Sequence, residues 1–212
     1  MDLTSDEEFK KIDPDGIGAA LTLFPDQIKK TWTDAMASNI TPIEFDSVLI
    51  SGMGGSSNAG KILQSLVEAD FKKPFVVYND YGLPGWVNEK TLVVANTYSG
   101  NTEETLSAID EAKKRGSKLI GVTTGGKLAE IIKAGQIPGA IVSAGETNPS
   151  GFPKSGLGVS LGALAGALVK AGVLTITENE LTEALAEVIE IRKSWSAKEI
   201  TKWLHGNLPV LF

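Results

Sequence analysis

Residues Thr91 to Thr105 read TLVVANTYSGNTEET. The stretch opens as a strand: Thr91 to Ala95 is rich in β-branched residues and lacks polar alternation, which predicts burial on both faces. Then the character changes. Asn96, Thr97, Ser99, Asn101 and Thr102 crowd amides and hydroxyls around Gly100, and Glu103 and Glu104 follow. Leu106, Ile109 and Ala112 next set a helical spacing. The order is buried strand, hydroxyl-rich turn, helix N-terminus. Such a turn gathers orphan backbone N–H groups, the positive end of a helix dipole and several O–H donors, which is what a phosphate monoester requires. Helix capping by Ser99, Asn101 or Thr102, with Glu103 or Glu104 near the third position, is the simpler reading. One hydroxyl suffices for a cap, so the crowding favours anion binding over capping alone.

Working outward, Ser47–Ile50 (SVLI), Phe75–Tyr78 (FVVY), Lys118–Val122 (KLIGV) and Ala140–Val142 read as further buried strands. Helical patterns separate them, from about Ala59 to Ala69, from the turn to Arg115 (closed by Gly116), and over Leu128–Lys133. Strands and helices alternating at this spacing predict right-handed crossovers. The expected class is α/β, a three-layer αβα sandwich on a parallel sheet of about five strands. In the flavodoxin-like order 2-1-3-4-5 the first and third strands are neighbours and mark the switch point. The loops leaving them, GMGGSS and NTYSGNT, are the turns richest in glycine and hydroxyls, and they would converge on one ligand.

Before the first strand, residues 5–37 read as two helical pieces broken at DPDGIG, with Ile17, Leu21, Phe24, Ile28, Trp32 and Met36 on one apolar face. After the loop NPSGFP come a Gly/Ala-rich helix over Gly156–Ala171, with Leu161, Leu164 and Leu168 on one face, and an amphipathic helix over Thr177–Trp195. The latter presents Leu181, Leu185, Val188 and Ile191. A final helical piece at Ala197–Leu204 precedes NLPVLF, which reads as the entry strand of another βαβ unit. The expected organisation is a helical segment over 1–45 that packs on the domain, a ligand-binding domain over 46–196, and a linker with a first strand over 197–212.

Composition narrows the class. The chain has 212 residues, 42% of them hydrophobic and 22% charged, with a formal charge of −6. An acidic balance argues against a nucleic-acid surface, which needs clustered Lys and Arg. A local nest of N–H groups can still bind a small anion. There is no Cys, hence no disulfide framework or thiolate metal site. No apolar run reaches membrane-spanning length, and MDLTSDEEFKK is acidic and unlike a signal peptide. A soluble cytoplasmic protein is the expectation.

Two nucleotide readings of the first glycine loop fall short. A dinucleotide fingerprint wants glycine where Ser57 stands, although Asp80 is roughly placed for the ribose. A P-loop is matched by Gly55, Gly60 and Lys61, but Ile62 then stands where a magnesium-binding hydroxyl belongs. Lys61 reads as a solvated helix residue.

The motifs together resemble the bifunctional phosphoglucose/phosphomannose isomerases of the sugar isomerase (SIS) superfamily. GMGGSS follows the first strand, then TYSGNTEETL, TTGGKL and a P-x-G-x-P-K loop ending at Lys154, in the family's order. The family's SYSGNTEE string stands here as Thr97–Glu104. The resemblance runs from about Asp46 to Phe212, and LHGNLPVLF resembles the entry into the family's second SIS domain. It implies an aldose–ketose isomerase acting on hexose 6-phosphates through a cis-enediol, without a cofactor or metal, as a homodimer. It also implies that Gly54, Gly55 and Ser56 line the sugar-phosphate site and that Thr97, Ser99 and Thr102 clamp the phosphate. Lys154 occupies the position of an arginine that steadies the enediolate; a lysine is a point charge rather than a planar fork. The family's catalytic Glu and ring-opening His belong to the second domain. Here His205 reads as a helix-end residue, Glu103 and Glu104 as dipole-favourable caps, and Glu146 lacks motif support. A sugar-phosphate-binding module without chemistry is the alternative from another class.

Overall fold

A computed structural model describes residues 6–194 and 203–204. The chain divides into two units, residues 1–175 and 176–212. In the first, strands β1 (Ser47–Ser51), β2 (Phe75–Tyr78), β3 (Thr91–Thr97), β4 (Lys118–Thr123) and β5 (Gly139–Ile141) form one sheet ordered β2-β1-β3-β4-β5. All neighbours are parallel. Every residue of β3 is buried: Thr91–Ala95 is the apolar and β-branched run that the centre of a two-sided sheet requires, and the Asn96 amide is satisfied by the Ser56 carbonyl. Val93 and Ala95 face one core with Leu49, Ile109, Leu119 and Leu128.

Helices α4 (Gly54–Val67) and α7 (Leu157–Lys170) pack together on one face, and α5 (Glu103–Arg115) and α6 (Gly126–Lys133) cover the other. The architecture is the expected three-layer αβα sandwich in the expected strand order. Helix α5 ends at Gly116 in the left-handed conformation, φ 69°, as read from sequence. Helix α4, by contrast, begins at Gly54, ahead of the expected Ala59. Met53 is extended at φ −121°, ψ 154°, and its carbonyl accepts the N–H groups of Ser56 and Ser57. The glycine-rich loop is therefore the first turn of the helix, where low helix propensity misleads.

The N-terminal segment forms three helices rather than two pieces: α1 (Asp6–Ile12), α2 (Ile17–Thr22) and α3 (Phe24–Met36). Pro25 in the first turn of α3 favours a fresh start there. The break divides the anticipated apolar face: Ile28 and Trp32 are buried, while Ile17, Leu21 and Met36 are exposed. Helix α3 lies directly on α7. A Cβ at Gly158, Gly162 or Gly166 would stand 2.7, 2.2 or 3.0 Å from the carbonyl oxygens of Phe24, Ile28 and Trp32. Glycine every fourth residue is thus what lets the two backbones approach, and it ties the N-terminal segment to the sheet.

In the second unit, α8 (Glu178–Ser194) opens on a reciprocal cap. The Thr177 hydroxyl accepts the Glu180 N–H, and the Glu180 carboxylate accepts the Thr177 N–H. Of its anticipated apolar face Leu185 is buried, whereas Val188 and Ile191 are exposed. His205 and most of 197–212 lie outside the described residues.

Candidate functional site

The crevice sits where the sequence order of the strands reverses, between the C-terminal ends of β1 and β3. The two loops are pressed together there. A Cβ on Gly52 would lie 2.8 Å from the Asn96 carbonyl oxygen, the Asn96 amide donates to the Ser56 carbonyl at 2.9 Å, and the Tyr98 N–H donates to Ser56 Oγ at 3.0 Å. A cavity of about 290 Å³ opens above them. Its floor carries Gly54, Gly55 and Ser56 from the first turn of α4, and one wall carries Thr97, Ser99 and Thr102. Pro153 and Lys154, on a 3₁₀ turn spanning Pro153–Ser155, close the opposite side. All seven residues singled out in the sequence therefore border one cavity, although they come from three separate loops.

The protons of Ser56 and Ser99 and one proton of the Thr97–Thr102 pair are available for donation into it. Thr97 Oγ1 and Thr102 Oγ1 are 2.7 Å apart, and Thr97 Oγ1 also accepts the Gly100 N–H at 3.3 Å. With Thr97 donating to Thr102, the Thr102 proton is free. Ser56 and Ser99 likewise accept backbone N–H groups, from Tyr98 and Asn101, and keep their own protons to give. Thr102 is the N-cap residue of α5 yet makes no side-chain cap bond. Asn101 caps a different helix, its Oδ1 accepting the Lys127 N–H at the start of α6. Capping of α5 thus accounts for none of these side chains. The first turn of α4 and the N-cap residue of α5 both border the cavity, bringing orphan N–H groups and two positive dipole ends near it.

Gly100 makes the turn possible. Its φ is +73°, and a Cβ there would lie 1.8 Å from the Gly125 carbonyl oxygen. The β4–α6 loop grips the turn through Leu128 N–H to Gly100 O at 3.0 Å and Thr124 Oγ1 to Tyr98 O at 2.7 Å.

Charge is unevenly spread. Among the described residues bordering the cavity, Lys154 is the charged one. Acidic groups lie outside. Glu103 Oε2 accepts the Tyr81 hydroxyl at 3.2 Å, and this bond, with Glu104 and Asp80 nearby, pushes the Tyr81 phenol above its ordinary range. Glu103 and Glu104 sit in the first turn of α5, as read from sequence, and Glu146 is exposed in a 3₁₀ turn. Lys61 is exposed on α4. Among the described residues no group of three or more His, Asp or Glu side chains could hold a metal ion.

Sequence reasoning missed Met53, Tyr98 and Ser160, which also border the cavity. Tyr98 was visible inside the turn motif. Its role is structural as well: its hydroxyl accepts from Asn148 Nδ2 at 3.0 Å, and the same amide donates to the Phe152 carbonyl.

Residues 43–130 match the SIS domain family. The chain is 35% identical over 200 residues to the bifunctional phosphoglucose/phosphomannose isomerase of Caldicellulosiruptor bescii, covering 89% of this chain and 57% of the relative. The enzyme of that name from Aquifex aeolicus is 36% identical over 186 residues, covering 85% and 53%. The chain thus spans about half the length of these curated relatives. Among solved structures, the C-terminal domain of glucosamine-fructose-6-phosphate aminotransferase from Francisella tularensis superposes with a TM-score of 0.56 at 18% identity, covering 82% of this chain and 53% of that one. That likeness is one of fold. With the strand order, the glycine and hydroxyl turns and these matches in hand, residues 43–130 are an SIS domain.

Proposed function

We propose that this chain is the phosphate-binding half of an isomerase interconverting glucose 6-phosphate or mannose 6-phosphate with fructose 6-phosphate. The observation that carries the reading is the convergence of residues 54–56, 97–99, 102 and 153–154 on one cavity. Its volume of about 290 Å³ is at the lower end of small-molecule sites, roughly 300–1,000 Å³, which suits a phosphorylated hexose better than a dinucleotide. The phosphate lies against Ser56, Thr97, Ser99 and Thr102 and the first turns of α4 and α5. Gly54 and Gly55 let the ligand approach the backbone, and the sugar carbons extend toward Lys154. As a cis-enediol forms between C1 and C2, negative charge grows on oxygen, and the Lys154 ammonium stabilises it.

Moving a proton between C2 and C1 needs a base. No carboxylate or imidazole borders the cavity among the described residues, so the base comes from another segment or another subunit. A homodimer in the cytoplasm, serving carbohydrate metabolism in the direction of glycolysis or gluconeogenesis, is the setting that fits a sugar-phosphate isomerase. The absence of a base from the described lining also supports a second reading, a sugar-phosphate-binding module without chemistry. A coupled assay with glucose 6-phosphate and fructose 6-phosphate, run beside calorimetry, tests both. The expected outcome for this chain is binding with little turnover, since acid–base groups contribute on the order of a hundred- to ten-thousand-fold each. Robust turnover by this chain would mean that it carries the base itself, and would contradict its reading as the phosphate-binding half. Complementation by a segment or subunit carrying Glu and His separates the enzyme from the module.

A further inference from the structure

We infer that Gln27, on α3 and outside the matched SIS domain, is a positioning residue for Lys154; this rests on the sugar-phosphate reading of the cavity. Gln27 is fully buried. Its Nε2 lies 3.0 Å from the Ala20 carbonyl oxygen, 2.9 Å from that of Thr147 and 3.0 Å from that of Ser155. An amide nitrogen has two protons, so three converging carbonyls commit it completely. Its Oε1 is buried without a partner. An apolar side chain of similar length would fill this space without leaving a polar atom unsatisfied, and burying such an atom costs free energy. What the amide adds is a bond to each end of one loop.

Thr147 and Ser155 bracket residues 148–154, and Ser155 follows Lys154 directly. Inside the loop, Ser150 Oγ donates to Asn148 Oδ1 at 2.8 Å and lies 2.6 Å from Ser155 Oγ. These bonds give the loop its shape but do not attach it to the domain. Gln27 attaches both ends to α3, and α3 is itself locked on α7 by the glycine contacts. Asn148 makes the second attachment, to the Tyr98 hydroxyl on the clamp side. Lys154 is exposed on this fastened turn, and a long flexible ammonium reaches a ligand oxygen reproducibly only when its backbone is fixed. The N-terminal helices are in this way part of the binding machinery and not only a cover for the sheet.

The test compares Gln27→Met, Lys154→Met and the double variant in the full chain. Hydrogen exchange reports the loop without any ligand, through the N–H groups of Gly151, Ser155 and Gly156, which are bonded within it. In Gln27→Met these should exchange about tenfold faster while β3 amides keep their protection. By calorimetry, Gln27→Met and Lys154→Met should each weaken fructose 6-phosphate about tenfold, and the double variant should be no weaker than Lys154→Met alone. Combination with Ser99→Ala should instead multiply, since Ser99 acts on the other side of the cavity. Should Gln27→Met not fold, Gln27→Asn retracts the amide by one methylene and carries the same expectations. Unchanged loop exchange, or effects of Gln27 and Lys154 that multiply, would overturn the inference. A wild-type chain without affinity for fructose 6-phosphate would overturn the reading of the site, a failure that the exchange measurement tells apart.

Discussion

Replacing Thr102 by valine keeps the side-chain shape and removes one oxygen. Its Oγ1 lies 2.7 Å from Thr97 Oγ1, and Thr97 is only 2% exposed. In the variant the Thr97 hydroxyl keeps the Gly100 N–H but loses its Thr102 partner in a buried setting, which costs about 1–3 kcal/mol of stability. The helix itself loses little, because Thr102 makes no side-chain cap bond to α5. The ligand loses more in relative terms. A hydrogen bond from a free hydroxyl to a phosphate oxygen is charge-assisted and contributes roughly 1.5–3 kcal/mol. That corresponds to fructose 6-phosphate binding about ten- to a hundred-fold more weakly. Thr102→Ser, which retains the oxygen, should stay within about threefold of wild type. Calorimetric titration of the three proteins, paired with thermal melts, separates binding from folding. A lower melting temperature with unchanged affinity in Thr102→Val would refute the reasoning and return Thr102 to a purely structural role.

Gly100→Ala should be far harsher: the left-handed backbone costs about 1–2 kcal/mol, and the Cβ meets the Gly125 carbonyl at 1.8 Å, so a melt should fall steeply and phosphate binding vanish with it. Gly162→Ala puts a methyl 2.2 Å from the Ile28 carbonyl oxygen; parting α3 from α7 should cost about 1–3 kcal/mol in denaturant unfolding, and a neutral result would deny the close packing. The third concerns pH. The Arg115 guanidinium beside Glu111, with the Leu83 N–H, holds that carboxyl below its ordinary value of 4.5, and the pair fastens the loop after β2 through Leu83 and Pro84. A depressed carboxylate favours folding above the unfolded value and loses that contribution as pH falls through the folded one. The stability advantage of wild type over Glu111→Gln should therefore be full near neutrality and shrink below about pH 4.5; a difference independent of pH would contradict it.

Much of this molecule is legible in its residues. Strand β3 announces itself because a central parallel strand has no polar face to interrupt the run, and Gly116 because only a left-handed cap needs glycine there. The site was reachable because phosphate-type turns are local: the hydroxyls lie within a few residues of one glycine. What escaped depends on contacts distant in sequence. Gln27 and Ser155 are 128 positions apart, and nothing near either residue marks their meeting. Tyr98 and Asn148, 50 positions apart, escape for the same reason. The start of α4 at Gly54 was misjudged because propensity counts glycine against a helix, while here the absence of a side chain opens the cavity floor. The stripe of Gly158, Gly162 and Gly166 signals a close approach, but the partner helix is fixed only in three dimensions.

The central claim is that the crevice between β1 and β3 binds a sugar by its phosphate. Calorimetric titration of the wild-type chain with fructose 6-phosphate, with fructose as the matched control, tests it most directly. Saturable binding of one fructose 6-phosphate per chain, displaced by inorganic phosphate and absent with fructose, is the result expected. Equal response to both sugars, or no binding of fructose 6-phosphate at all, would contradict it.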